Sequence, residues 1–598
     1  MTTTQVAATG ITWDLSDLFA GADDPKLIAT LDAAKRDSEA FAERYRGKIN
    51  VPGGPSPDLL LKALQDYEDL HERTGRASAY AHLLYDTDTR DATARDLVQK
   101  VEQRTTELRN LTLFFDLEWL ELDQSVVDQL ADHPSLAPYR HHLLHERVFQ
   151  PHKLSEPEEK VVNEKDQTGA RAWQRLHTEI VSALSFPLER DGKTENLTLE
   201  QIRALMYEPD RSLRRRAHEA LYKVLGAQGQ VLTFVYDTLI QDHQTMDRLR
   251  QYPNPMRSRH LGNEVDDAAI DTMMRVVEAN YGLAHEYFKV KAKVLGLDTL
   301  QLYDQYAPFR QSDAKVPWHE AEQMVLESYG AMDPSFKKTA EEFFERRWID
   351  AEPRPGKRGG AYCWSVTPKL HPYVLCSYNG SPRDAMTVAH ELGHGLHGML
   401  SRHQTLFNYH PTLPLAETAS VFGEMMVFNR LAEREPDKQA RLGLVAGKIE
   451  DAFATVYRQN VLTRFEQGAF DARTKARLTP EKLGEVWLDA NRPYYGDAIH
   501  MTPGYEWGWT YISHFIQARF YCYAYVFGQL LVLALYRMYQ EQGPAFVPQF
   551  IRLLQGGGSD TPDNLLKPLG VDFRDENFWQ KGFDELKRLV DWAKDLAA

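Results

Sequence analysis

The stretch Thr387–Leu400, TVAHELGHGLHGML, constrains this chain more than any other. A helix start precedes it. Ser381-Pro382-Arg383-Asp384 offers Ser as N-cap, Pro at the first helical position and Asp three residues after the cap. These signals predict a helix from about Pro382 to Leu400. His390 and His394 then lie one turn apart on one face, where both imidazoles can reach one metal ion. Glu391 is rotated by about 100° from His390 and about 60° from His394. It flanks such an ion without binding it, in a position to hold a water. Gly393 and Gly395 cost the helix roughly 1 kcal/mol each. That cost makes sense if another backbone or a substrate must come close. The competing reading is a helix that happens to be rich in histidine, with the rings packed or solvated.

A catalytic zinc takes three protein ligands and keeps one position for water. His397 lies on the same face as His394, but three residues along the axis is about 4.5 Å. That is too far to share the ion, and a role toward substrate or behind the ligands suits it better. Downstream, LPLAETASVFGEMMVFNRLAERE reads as a second helix with an apolar stripe at Val421, Met425, Phe428 and Leu431. Glu417 stands 417 − 394 = 23 residues after His394, enough for a loop and a return helix. Ala416, Ala419 and Ser420 around it are small and permit close approach. Glu424 is two turns further along the same face. The residues favour Glu417 as third ligand and Glu424 as the group that orients a ligand histidine. For each glutamate taken alone, a solvated surface carboxylate is the competing reading.

The chain has 598 residues, 43% of them hydrophobic and 26% charged, which is the composition of an ordinary globular protein. Its net charge is 70 − 86 = −16. Phosphate binding needs clustered Lys and Arg, so a nucleic-acid partner is not expected. Three cysteines, Cys363, Cys376 and Cys522, do not make a disulfide framework and fit a reducing, cytoplasmic setting. The start, MTTTQVAATGITWDLSDLF, has neither the basic nor the apolar region of a secretory signal. Phe520–Tyr536 approaches the length of a bilayer span, but its four tyrosines run along it rather than gathering at the ends. A buried core helix is expected there, and no membrane partner.

Most of the chain shows helical periodicity, as in Leu59–Tyr85 and Ala94–Leu120. Arg211, Arg214, Arg215 and Arg216 read as a solvated helix face. Strand signals are few. Phe186–Leu199, with Asp191-Gly192 between two short runs, reads as a hairpin, and a soft domain boundary is placed beside it. This divides the chain into an N-terminal helical region, 1–200, and a catalytic region, 201–598. Gly359–Tyr378 is the second strand-like region. Within it, Pro372–Gly380 precedes the histidine helix directly. As an edge strand it could pair with an extended peptide.

With these residues in place, the chain resembles the oligoendopeptidase F family, within the thimet-oligopeptidase-like zinc metallopeptidases. The likeness rests on HELGHGLH, LAETASVFGE, ITWDLSDLF, YVLCSYNGSPRDAMTVAHELGH and ISHFIQARFYCYAY, and runs nearly end to end. The resemblance implies a mainly α, two-lobed zincin-type fold with a deep substrate channel and a small β element beside the metal helix. It implies one Zn2+ per chain, held by His390, His394 and Glu417, with Glu391 as general base. It implies cleavage of short peptides rather than folded proteins. Matching the family's late segment, His514, Tyr521 and Tyr523 are expected to donate hydrogen bonds to the transition-state oxyanion. Tyr521, Tyr523 and Tyr525 alternate around a helix, however, so one or two of them at most can face a site. Two rival functions stand beside this one: a zinc carboxypeptidase on a similar helical scaffold, and a non-catalytic peptide-binding protein.

Overall fold

The structure is a computed structural model that describes residues 6–190, 192–309 and 315–598. It is mainly helical, with three small sheets among the described residues. The chain divides into two compact units, each assembled from three stretches of sequence. The first comprises Met1–Gln150, Ala314–Leu431 and Tyr539–Val571; the second comprises Pro151–Asp313, Ala432–Met538 and Asp572–Ala598. The division expected near residue 200 is therefore not where the compact units part. Periodicity and turn residues report local structure, whereas the units are set by apolar helix faces that meet across hundreds of residues.

In the first unit, long amphipathic helices Pro25–Tyr45, Pro57–Thr87 and Ala92–Thr112 bury their apolar stripes. One core gathers Phe41, Tyr45, Tyr67, Phe115 and Trp119. A second gathers Trp13, Phe19, Tyr80, Tyr373 and Leu375, and so ties the N-terminal helices to the sheet beside the histidine helix. That sheet has three strands. Tyr373–Leu375 lies in the middle, parallel to Ile349–Asp350 on one side and antiparallel to Tyr362–Trp364 on the other. The expectation of an edge strand at Pro372–Gly380 is corrected here. Both neighbours saturate its backbone, and all three of its residues are buried. The two outer strands are Ile349–Asp350 and Tyr362–Trp364.

The second unit is built from helices including Arg211–Ala227, Gly229–Arg250, Tyr281–Val294, Gln459–Lys475 and Pro480–Tyr495. The expected hairpin is present, Phe186–Arg190 pairing antiparallel with Lys193–Leu197. Asp191, the predicted turn residue, lies outside the described residues, as do residues 1–5 at the N-terminus. Arg214 departs from the solvated face read for the arginine cluster. Its side chain is 3% exposed, and it grips Asp304 at 2.9 Å and the carbonyl oxygens of Tyr303, Glu208 and Pro209. A charged residue one helical turn from exposed arginines gives no local sign that a buried carboxylate waits for it. The apolar late segment forms helix Tyr523–Gln542, with Leu530, Leu531 and Leu535 fully buried. Among the described residues no helix is long and apolar enough to cross a membrane.

Candidate metal centre

The histidine helix spans Pro382–Ser401, and its start is built as the sequence predicts. Ser381 Oγ accepts from the Asp384 amide at 3.1 Å, and Asp384 Oδ2 accepts from the Ser381 amide at 3.0 Å. The reciprocal bonds satisfy two of the orphan donors that any helix N-terminus exposes.

Glycine then decides what the helix can touch. A Cβ placed on Gly393 would stand 2.5 Å from the Ala419 carbonyl oxygen and 2.5 Å from the Ser420 Cα. Only a glycine lets the backbone at 419–420 come this near. One on Gly395 would enter the Phe343 ring, at 2.6 Å. The expected reason for both glycines, close approach of a neighbour, is thus present on two sides of the helix. From the residue above, the buried Tyr329 hydroxyl donates to the Ala389 carbonyl oxygen at 2.7 Å. This bond clamps the turn that carries His390, and nothing local in the sequence pointed to it.

The approach at Gly393 carries Glu417 to the histidines. Glu417 is not inside a helix but in the joint between the short turn Leu413–Ala416 and helix Thr418–Arg434. Its Oε2 lies 3.3 Å from His390 Nε2 and 3.4 Å from His394 Nε2. One donor atom from each of the three residues lies within 4.8 Å of the other two. The imidazole rings are 5.0 Å apart and almost perpendicular, at 80°. Two aromatic nitrogens and a carboxylate oxygen converging on one point are the donor set of a transition-metal site. The residues present therefore fit a divalent ion.

On the far side of the His390 ring, Glu424 Oε2 lies 3.1 Å from Nδ1. A carboxylate there accepts the Nδ1 proton and leaves the Nε2 lone pair for a metal. Ser420 Oγ donates to Glu417 Oε2 at 2.7 Å and holds the carboxylate in place. The sequence marks Ser420 as small; a serine three residues after the candidate glutamate is the signal for this hydrogen bond. His397 is buried and is not part of the convergent trio. Burial pushes its pKa down to about 3, so it sits as a neutral ring.

The electrostatics follow from crowding acids and imidazoles in a half-buried site. Burial disfavours charge on His390, but hydrogen bonds and charge from Glu417 and Glu424 outweigh it and hold its pKa up at about 10. Burial also opposes ionisation of Glu417; the two histidines overcome it and hold that carboxyl well below its ordinary value. Glu391 is different. It is 6% exposed and makes no ion pair among the described residues, and burial raises its pKa above the ordinary carboxylate value despite the nearby histidines. A carboxylate made more basic by burial is suited to take up a proton.

The late segment lies in the second unit and has a local structure of its own. Helix Ser513–Gln517 ends, and the chain turns through Phe520 with φ at +54° before helix Tyr523–Gln542 begins. The Phe520 amide donates to Glu466 Oε1 at 2.8 Å, and the Phe520 ring packs on Phe470. A left-handed bulky residue is costly and persists only when its surroundings hold it. The turn places Tyr521 beside His514, with ring centres 5.9 Å apart, and His514 Nε2 meets the Tyr525 hydroxyl at 3.3 Å. Tyr523 goes the other way. It is fully buried, and its hydroxyl accepts from Asn263 at 2.9 Å. Of the three expected residues, His514 and Tyr521 cluster, and Tyr525 takes the third place in the cluster instead of Tyr523. The physical reason is helical spacing: Tyr523 and Tyr525 stand two residues apart in one helix and point about 200° apart, so both cannot face His514.

Comparison with known proteins finds relatives that match nearly the whole chain. A relative from Bacillus subtilis, oligopeptidase PepF, is 26% identical over 97% of this chain and 87% of its own length. The group B oligopeptidase PepB of Streptococcus agalactiae is 25% identical over 96% of this chain and 94% of its own. Among solved structures, oligoendopeptidase F from Enterococcus faecium superposes with a TM-score of 0.70 at 21% identity, covering 96% of this chain and 98% of that one. The oligopeptidase F family model matches residues 118–186. The profile that takes in the two histidines, Glu417 and the late tyrosines spans residues 204–585, well over half of the sequence, and it places this chain in peptidase family M3.

Proposed function

We propose that the chain is a zinc-dependent endopeptidase that hydrolyses internal bonds of short peptides. The observation that carries the proposal is the convergence of His390, His394 and Glu417 within 4.8 Å, with Glu424 behind His390. Family membership makes it a metallopeptidase. The choice of zinc is supported by the two-nitrogen, one-carboxylate donor set, which suits that ion and leaves a position open for chemistry.

His390 Nε2, His394 Nε2 and Glu417 Oε2 hold the ion in this reading. Glu424 keeps the His390 proton on Nδ1, and Ser420 fixes the Glu417 carboxylate. When bound, the ion supplies Lewis acidity that polarises a carbonyl and makes water a nucleophile near neutral pH. Glu391 accepts the proton released as water attacks the scissile carbonyl, then returns it to the leaving amine nitrogen. The outer, half-buried strand Tyr362–Trp364, rather than the central Tyr373–Leu375, is the one assigned to offer backbone groups to an extended peptide. His514 and Tyr521, with Tyr525 beside them, are assigned as donors to the oxyanion. A cytoplasmic setting belongs to the same proposal, supported by three free thiols at Cys363, Cys376 and Cys522.

Glu391→Gln tests it. The variant is expected to keep its metal, measured on the purified protein, and to lose at least roughly 10²-fold in kcat on a quenched fluorescent peptide. Near wild-type turnover with metal retained overturns the base assignment.

A further inference from the structure

Among the charged groups of the second unit, Arg458 stands apart. It ends a five-residue π-turn, Ala454–Arg458, that joins helix Lys438–Phe453 to helix Gln459–Lys475. Such turns insert one extra residue and re-aim the side chains around them, and they are frequent at functional sites. The guanidinium is half-buried. Among the described residues it makes no hydrogen bond and no ion pair. The contrast with Arg214 in the same unit is direct: that arginine spends its donors on a carboxylate and three carbonyl oxygens. The chain holds 86 acidic residues against 70 basic ones, so a partner was available in composition. None is supplied. The nearby Glu450 carboxylate is taken by Tyr287 at 2.5 Å and Lys291 at 2.6 Å.

What surrounds Arg458 is a wall of phenols. Tyr306, Tyr511, Tyr505 and Tyr495 lie within reach of its charge, and the ring of its chain neighbour Tyr457 stacks on Tyr494, with centres 5.6 Å apart. Two of these are fixed by their own bonds. The Tyr495 hydroxyl donates to Gln305 at 3.2 Å, and the Tyr505 hydroxyl donates to Asn491 at 3.0 Å. The Tyr306 hydroxyl has no hydrogen bond among the described residues and stays available to donate. Its ring stacks on Tyr207, which is 60% exposed, so the cluster reaches solvent. The late-segment His514 feels the Arg458 charge. A half-buried cation with unspent planar donors, flanked by a free phenol, is a receptor for a carboxylate. Arginine binds carboxylate through two parallel N–H bonds, and those bonds are strong where water is partly excluded. Lysine or a purely aromatic pocket would not present that fork.

We propose that Arg458 and Tyr306 form a binding site for a carboxylate of the peptide substrate, and so set which peptides are held well. The proposal deepens the endopeptidase reading and rests on it. Two parts of a peptide carry this chemistry, the C-terminal carboxylate and an acidic side chain.

The test uses the full-length metal-loaded protein and three quenched fluorescent peptides of one sequence: a free acid with an internal Glu, the same peptide amidated at the C-terminus, and the free acid with that Glu replaced by Gln. Each variant is judged by ratios of kcat/KM between peptides, so a loss of folded protein cancels. The wild type is expected to favour one carboxylate-bearing peptide over its neutral partner by about tenfold, carried by KM. Arg458→Gln is expected to bring that ratio close to one. Arg458→Lys, which keeps the charge and loses the fork, should recover part of it, and Tyr306→Phe should lower it. A ratio that collapses for the amidated pair assigns the C-terminal carboxylate, and one that collapses for the Glu-to-Gln pair assigns the acidic side chain. Wild-type ratios of one for both pairs, or a preference that survives Arg458→Gln, overturn the proposal while cleavage itself stands. Failure to cut any of the three peptides overturns the endopeptidase reading, and this site falls with it.

Discussion

His390 Nδ1 lies 3.1 Å from Glu424 Oε2, while its Nε2 lies 3.3 Å from Glu417 Oε2. One imidazole thus bridges two carboxylates with different tasks, one behind the ring and one beside the metal position. Removing each should separate the tasks. Glu417→Ala deletes a ligand and should strip the metal from protein dialysed against a mild chelator. Glu424→Ala should weaken binding by roughly 10- to 100-fold and leave a partly loaded protein. Metal content per chain, measured by atomic absorption, checks the order. The reverse order would exchange their roles.

Gly393 is where Glu417 is brought to the two histidines. In Gly393→Ala the new methyl would meet two backbone atoms of residues 419–420 at 2.5 Å, and backbone cannot swing aside as a flexible side chain can. The segment carrying Glu417 must move. The expected outcome is a loss of roughly 1–3 kcal/mol in stability together with weaker metal retention. Chemical denaturation and metal content, taken together, check it. An unchanged metal content would show that the approach does not hold Glu417.

The late tyrosines can be told apart by what their hydroxyls touch. Tyr521→Phe should lower kcat by about 10²-fold or more if its hydroxyl donates to the oxyanion. Tyr523→Phe removes a buried acceptor from Asn263 and should cost about 1–3 kcal/mol of stability, with a far smaller effect on kcat. Steady-state kinetics and denaturation of both variants give the comparison. A larger kinetic loss in Tyr523→Phe would restore the expectation drawn from sequence.

Glu466 predicts a pH dependence. Burial pushes its pKa up to about 8, although it accepts from the Phe520 amide. The unfolded chain has this carboxyl ionised above about pH 4.3. Between there and about pH 8 the folded protein holds a proton that the unfolded chain lacks, so stability falls as pH rises through that window. Glu466→Gln removes the titration. Its Tm relative to wild type should therefore rise from pH 5 to pH 8 and level off above. Thermal denaturation across pH checks the sign, and a difference that shrinks over this range contradicts it.

Much of the metal centre was legible in one dimension because its parts obey local rules. The capping residues set the start of helix Pro382–Ser401, the i,i+4 spacing puts His390 and His394 on one face, and small residues at 419 and 420 mark a close approach. The late segment was legible in composition but not in register. Spacing sets Tyr525 opposite Tyr523; that Tyr525 and Tyr521 are the pair beside His514 was decided by the left-handed turn at Phe520, whose amide is held by Glu466, 54 residues earlier in the chain.

The sequence by itself determined the helices, the pairing of the two histidines and the candidacy of Glu417, since all three follow from short-range stereochemistry and spacing. Tertiary structure alone decided the rest. It fixed which strand is an edge, because that depends on Ile349–Asp350 arriving at the free side of Tyr373–Leu375. It fixed which arginine is spent on a buried carboxylate and which is left unpaired, because Asp304 reaches Arg214 and no acid reaches Arg458 among the described residues. Such choices turn on the desolvation of polar groups by partners far away in sequence, and no local pattern records who those partners are.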